Sequence, residues 1–64
     1  SGELDSFATS HEITIEFSDG EKVAGTLHEL SPAAMGFFFD AHVSDQSSYT
    51  IYVNKQALKS IQYQ

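Results

Sequence analysis

The stretch "ITIEFSDGEKVAGTL", residues 13–27, decides how the chain folds. Ile13, Ile15 and Phe17 alternate with Thr14, Glu16 and Ser18, which sends apolar and polar side chains to opposite faces. A period of two in β-branched and aromatic residues predicts a half-buried strand. Asp19-Gly20 comes next. A tight primed turn needs positive φ, and Asp-Gly is among the strongest short signals for one. The apolar pattern then restarts, with Val23 and Leu27 on one face and Gly25 between them. A glycine inside a strand marks a bend, a bulge or a close backbone approach. Ala24 and Leu30 fall on the other parity. A strongly bent strand that changes sheet partners has this pattern.

Working outward, Ser31-Pro32 opens a turn and Gly36 ends it. Ala33, Ala34 and Met35 fit one helical turn after a Ser31 cap and a Pro32 first position. Residues 37–43 read as a third strand, with Phe37, Phe39, Ala41 and Val43 on one face and Phe38, Asp40 and His42 on the other. A polar turn leads to a fourth strand, in which Tyr49, Ile51 and Val53 alternate with Thr50, Tyr52 and Asn54. Residues 55–57 turn again, and residues 58–64 read as a short fifth strand. Ahead of all this, Leu4, Phe7 and Ala8 have the spacing of one helical face. Residues 1–10 are therefore expected to form an N-terminal arm or helical turn, and residues 11–64 the domain. Five short bent strands joined by tight turns predict an all-β, five-stranded SH3-like or Sm-like barrel, in which closure removes exposed strand edges.

Composition limits the functions open to such a domain. Sixty-four residues make one domain at most, and a chain this short has a marginal core. There is no cysteine to staple it, to attack a substrate or to ligate a metal. The lack of cysteine fits a reducing, cytoplasmic setting. The longest apolar run is residues 35–39, far short of the roughly 20 a membrane helix needs. The chain opens Ser1-Gly2 without an initiator methionine, as expected of a piece of a longer protein or the remnant of a cleaved tag. Three lysines face nine carboxylates, arginine is absent, and the net charge is -6. Nucleic-acid binding draws much of its affinity from lysine and arginine on phosphates, so this balance opposes it. Without arginine there is also no bidentate partner for a phosphate.

Residues 13–27 resemble the first half of an Sm-like motif, where an alternating strand ends in Asp-Gly and the next runs to Gly-x-Leu. Residues 49–63, "YTIYVNKQALKSIQY", resemble the second half. Sm-like RNA contacts come from an Asp-x-x-x-Asn-type loop after the second strand and an Arg/Lys-Gly loop near the fourth. Here those places hold "LSPAAMGFFF", with no asparagine, and "YVNKQAL", with neither glycine nor arginine. More of the chain is similar to a family of small bacterial domains of unknown function, found alone or appended to signalling proteins. The matching elements are Asp19-Gly20, Gly25, Ser31-Pro32, Gly36-Phe37 and the run from Leu58 to Tyr63. That resemblance implies a regulatory or interaction role. "ELSPAAMGFFF" also has a faint likeness to the Ser-x-x-Gly turn of PilZ domains. Those domains bind a cyclic dinucleotide through paired arginines, which this chain lacks.

Candidate chemistry is sparse. Asp40 and His42 share a strand face at i, i+2, but spacing offers no third ligand, so no metal or cofactor is expected. Ser31, Ser44, Ser47 and Ser48 do not lie in a Gly-x-Ser-x-Gly elbow. A barrel this small has little room for a substrate pocket, so no catalytic residue is assigned. The aromatics say more. Phe37, Phe38 and Phe39 are consecutive and cannot all face one side of a strand. Phe38 and Met35 either cover an open end of the barrel or pack under the N-terminal arm, or else form with Tyr52 an exposed apolar and aromatic patch for a partner. The sequence therefore points to a non-catalytic protein-interaction or regulatory module, binding a protein partner or self-associating through strand edges. Met35, Phe38 and Tyr52 are its expected anchors, and Asp19, Gly20, Gly25 and Gly36 its turn and bend positions. An Sm-like RNA binder and a PilZ-like sensor are the alternatives.

Overall fold

The structure, a computed structural model, describes residues 10–64. The expected N-terminal arm, with Leu4, Phe7 and Ala8, lies outside the described residues save for Ser10. Five strands follow in order: β1 (His11–Phe17), β2 (Lys22–Leu27), β3 (Gly36–Ser44), β4 (Ser47–Asn54) and β5 (Leu58–Tyr63). A 3-10 turn (Lys55–Ala57) joins β4 to β5. All pairings are antiparallel and form one sheet in the order β4-β3-β2-β1-β5.

The all-β expectation holds, but the expected closed barrel does not form. β4 and β5 are the two edges of the hydrogen-bonded ladder. The three-residue 3-10 turn between them explains this: it makes a corner rather than a hairpin reversal. Asn54 caps it by accepting the Gln56 N–H at 2.9 Å. The chain leaves this corner to pair with the free side of β1. The sheet still buries one face on itself. Ile13, Ile15, Leu27, Phe37, Phe39, Ala41 and Val53 form the core, with Ile51 of one edge and Leu58 and Ile61 of the other packed against it. Side chains from both edges thus share one cluster although their backbones do not pair.

Parity explains most of this core. Ile13 and Ile15 alternate inward along β1, and Phe37, Phe39 and Ala41 do so along β3, where the Phe37 and Phe39 rings meet edge to face at 6.5 Å. Leu58 and Ile61 differ in parity, yet both reach the core. A register shift opposite Glu16 and Phe17 leaves Lys59 as an extra residue, and this bulge turns Leu58 inward. A second shift, at Val43, has the opposite effect. Val43 was expected on the inner face, but it is the unpaired residue of a bulge and is exposed. Tyr49 is exposed as well; it lies opposite Ala41, the last β3 residue that pairs with β2, where the projecting hairpin tip begins.

The turns differ in kind from the sequence reading. Gly20 N donates to Phe17 O at 2.9 Å, and Phe17 N donates to Glu21 O at 2.8 Å. Gly20 alone has positive φ, at 94°. This is a three-residue hairpin loop closed by a left-handed glycine, not the two-residue primed turn. Asp19 assists by accepting the Glu21 N–H at 2.9 Å. Residues 32–35 form turns and bends rather than a helical turn, held by Ala34 N donating to Ser31 O at 3.1 Å. Of the bend, bulge or close approach that a strand glycine can mark, Gly25 makes a close approach: a Cβ there would lie 2.2 Å from the Asp40 carbonyl oxygen and 2.6 Å from the Phe39 ring.

Candidate protein-interaction surface

The outer face of the sheet is built from the residues that alternate with the core. Phe37 and Phe39 point in, so Phe38 points out; Ile51 and Val53 point in, so Tyr52 points out. The register sets Phe38 directly opposite Tyr52. Their rings are 5.1 Å apart at 69°, an edge-to-face contact, and they remain 67% and 57% exposed. Gly36 allows this arrangement. A Cβ on Gly36 would lie 2.7 Å from the Tyr52 ring and 2.4 Å from the Val53 carbonyl oxygen, so the tyrosine lies across a bare backbone.

The aromatic pair forms one wall of an open groove of about 360 Å³, completed by His28, Glu29, Ala34 and Asp40. The loop at its rim is tied down by Lys55, whose Nζ donates to the carbonyl oxygens of Ser31 at 2.6 Å and Pro32 at 3.3 Å. Lys55 N also donates to Met35 O at 2.8 Å. Met35 is 68% exposed but does not line the groove. The structure therefore brings together two of the three expected anchors.

Beside the aromatics runs a polar ladder that the sequence did not reveal. Glu12, Thr26, Asp40 and Thr50 are in register across β1 to β4. Thr50 donates to Asp40 Oδ1 at 2.7 Å, and His28 Nε2 meets Asp40 Oδ2 at 2.9 Å. These hydrogen bonds, Thr50's first and His28's second, hold the Asp40 carboxyl below its ordinary value. Thr26 donates to Glu12 at 2.6 Å, and His42 Nε2 lies 3.1 Å from the same hydroxyl. With the hydroxyl hydrogen committed to Glu12, the imidazole Nε2–H is the donor in that second bond. Glu12, not His42, thus accepts the Thr26 proton. Asp40 and His42, paired by their spacing in sequence, in fact take different partners: His28 for one, Thr26 and Glu12 for the other. Among the described residues no group of three or more His, Cys, Asp or Glu is placed to hold a metal.

No protein-family model, curated protein or solved structure matches this chain. Among the described residues no helix is long and apolar enough to cross a membrane.

Proposed function

We propose that this chain is a non-catalytic protein-interaction module whose outer-face groove takes an extended, basic peptide segment with an apolar anchor. The observation that carries the proposal is the Phe38–Tyr52 pair, two large rings in contact with each other and left open to solvent at one end of a groove. Single exposed apolar residues are ordinary, whereas aromatic rings that line a concavity supply the anchors of an interface. The chemistry of the occupant follows from charge. The chain carries -6, and Glu29 and Asp40 flank the rings. A segment with lysine or arginine on either side of an apolar residue is complementary to that surface.

Five antiparallel strands and the pattern of residues 13–27 support an SH3-like or Sm-like lineage. The resemblance to small bacterial domains appended to signalling proteins supports a role as a cytoplasmic accessory domain in such a protein.

The test is fluorescence anisotropy with labelled peptides carrying lysines around a central leucine or phenylalanine. Phe38→Ala should weaken binding by about tenfold or more, the loss of a central anchor, while circular dichroism stays unchanged. Equal affinity in the variant, or equal binding of an acidic scrambled peptide, would overturn the proposal. So would saturable binding of single-stranded RNA or a cyclic dinucleotide in place of peptide, which would return the domain to the Sm-like or PilZ-like reading.

A further inference from the structure

The groove has a titratable wall. His28 Nε2 lies 2.9 Å from Asp40 Oδ2, and both residues line the groove with Phe38 and Tyr52. The carboxylate accepts in this bond, so Nε2 carries the hydrogen whether the ring is neutral or charged. Protonation therefore adds its hydrogen, and a positive charge, through Nδ1. Histidine is the side chain whose ordinary pKa sets that change between about pH 5 and 8. The His28 side chain is 62% exposed, so it is open to whatever enters the groove.

The charges around His28 come from several elements. A carboxylate and an ammonium ordinarily hold their charges, and a phenol stays neutral, throughout that range. Asp40 on β3 is held firmly in its charged form, because the Thr50 hydroxyl at 2.7 Å and His28 keep its carboxyl below the ordinary value. Glu29 follows His28 in the loop, and Lys55 is tied to the Ser31 and Pro32 carbonyls at the rim. Two further histidines lie near. His42 on β3 has its ring turned to Thr26 at 3.1 Å and to Glu12 of β1 at 3.9 Å. His11 on β1 packs edge-on against Tyr63 of β5, with 5.4 Å between ring centres, at a neighbouring hollow that also touches His28 and Glu29. Neither His42 nor His11 lines the groove.

We infer that His28 and Asp40 form a gated seat for a cationic residue of the bound peptide, open while the imidazole is neutral and closed when it is protonated. This rests on the reading of the groove as a peptide site. With His28 neutral, the Asp40 carboxylate is paired only with hydrogen-bond donors, and a lysine of the peptide supplies the missing counter-charge. With His28 protonated, Asp40 already has a cation 2.9 Å away, and the incoming lysine meets a like charge at its own place. A like charge a few ångströms away at a solvent-exposed site weakens binding about three- to tenfold. The module thus holds a basic partner near neutral pH and releases it on acidification. His28 is the residue that sets the midpoint, and Asp40 is the residue that selects for a cation.

Fluorescence anisotropy at constant ionic strength tests this, between about pH 5.5 and about pH 7.5. The probe is an end-capped lysine–leucine peptide without histidine or acidic residues, carrying a pH-insensitive dye. Wild type should bind it about three- to tenfold more tightly at the upper pH. His28→Gln keeps an N–H donor for Asp40 but does not titrate, so at the lower pH it should bind as tightly as wild type does at the upper. His28→Lys carries a fixed charge and should bind weakly at both. His42→Gln should keep the wild-type profile. Circular dichroism should be the same for all four proteins, since His28 and His42 are exposed. The inference is overturned if His28→Gln is as pH-dependent as wild type or stays weak at the lower pH, or if the dependence vanishes in His42→Gln instead. Wild-type binding that is flat with pH overturns this inference alone, whereas no binding at any pH overturns the reading of the groove and this inference with it.

Discussion

Replacing Gly25 with alanine should remove a large part of the stability of this domain. The added methyl group would meet the Asp40 carbonyl oxygen at 2.2 Å and the Phe39 ring at 2.6 Å. Neither neighbour can move aside cheaply. The carbonyl belongs to the backbone of β3, and Phe39 is fully buried, so its ring has no free space to enter. Relief must come from prying β3 away from β2. Overpacking of a core costs about 1–3 kcal/mol, and a backbone atom on the receiving side puts this site at about 3 kcal/mol. At roughly 0.05–0.15 kcal/mol per residue, a chain of this length has a total stability of only about 3–10 kcal/mol. Each kcal/mol is worth about 4–8 °C in a domain this small, so the melting temperature should fall by about 12–24 °C. Thermal and urea melts followed by circular dichroism measure it. Gly20→Ala is the internal comparison. A Cβ there meets nothing within 4 Å, but its φ of +94° is strained for any L side chain, so the loss should be about 1 kcal/mol, and Gly20→Asn should recover part of it. A Gly25→Ala protein melting within about 3 °C of wild type would refute the close approach of β2 and β3.

Three further outcomes follow from the same geometry. Phe39→Ala should cost about 3–5 kcal/mol, whereas Phe38→Ala, mostly exposed, should cost under about 1.5 kcal/mol; equal urea midpoints for the two variants would contradict the assignment of inner and outer faces. Asp40 has a carboxyl depressed below its ordinary 3.8 in the folded state, so the stability it contributes is present above that value and is lost as pH falls through the lower, folded one. Urea midpoints should therefore drop on acidification below about pH 4, and less steeply in Thr50→Val, which lacks the leading cause of the shift; identical slopes would exclude the Thr50 bond. Lys55→Met removes the donor to Ser31 and Pro32 and should cost about 1 kcal/mol while speeding hydrogen exchange at the Ala34 amide; unchanged exchange would show that the groove rim is held some other way.

Much of the fold was legible in the sequence because period-two alternation reports directly on burial. Ile13 and Ile15, Phe37 and Phe39, and Val53 went where parity sends them. Gly25 marked a bend, a bulge or a close approach without choosing among them, and Asp19-Gly20 marked a reversal. What parity cannot show is where the count of residues slips. Val43 and Lys59 are each the extra residue of a bulge, and the sequence "FFFDAHVS" gives no sign that its alternation ends at Ala41. Closure was misread for a related reason: it depends on the direction in which residues 55–57 send the chain, and a three-residue 3-10 corner looks like any polar turn. At the candidate site, the outward aim of Phe38 and Tyr52 followed from their neighbours, but their ring contact needed the β3–β4 register. The pairing of His28 with Asp40 joins the residue just after β2 to the middle of β3, a relation that spacing along one strand does not contain. Met35 is apolar and lies just ahead of the aromatics in the sequence, but in the structure it does not line the groove.

The most direct test of the outer-face groove as the partner surface is a two-dimensional amide NMR titration of the wild-type domain with a lysine-flanked leucine peptide. The shifts should concentrate at His28, Ala34, Phe38, Asp40 and Tyr52, around the groove, with little change at Phe17, Ser18 and Gln56, which line a separate surface hollow of about 390 Å³. Shifts centred on Phe17, Ser18 and Gln56, or no saturable shifts at all, would contradict it.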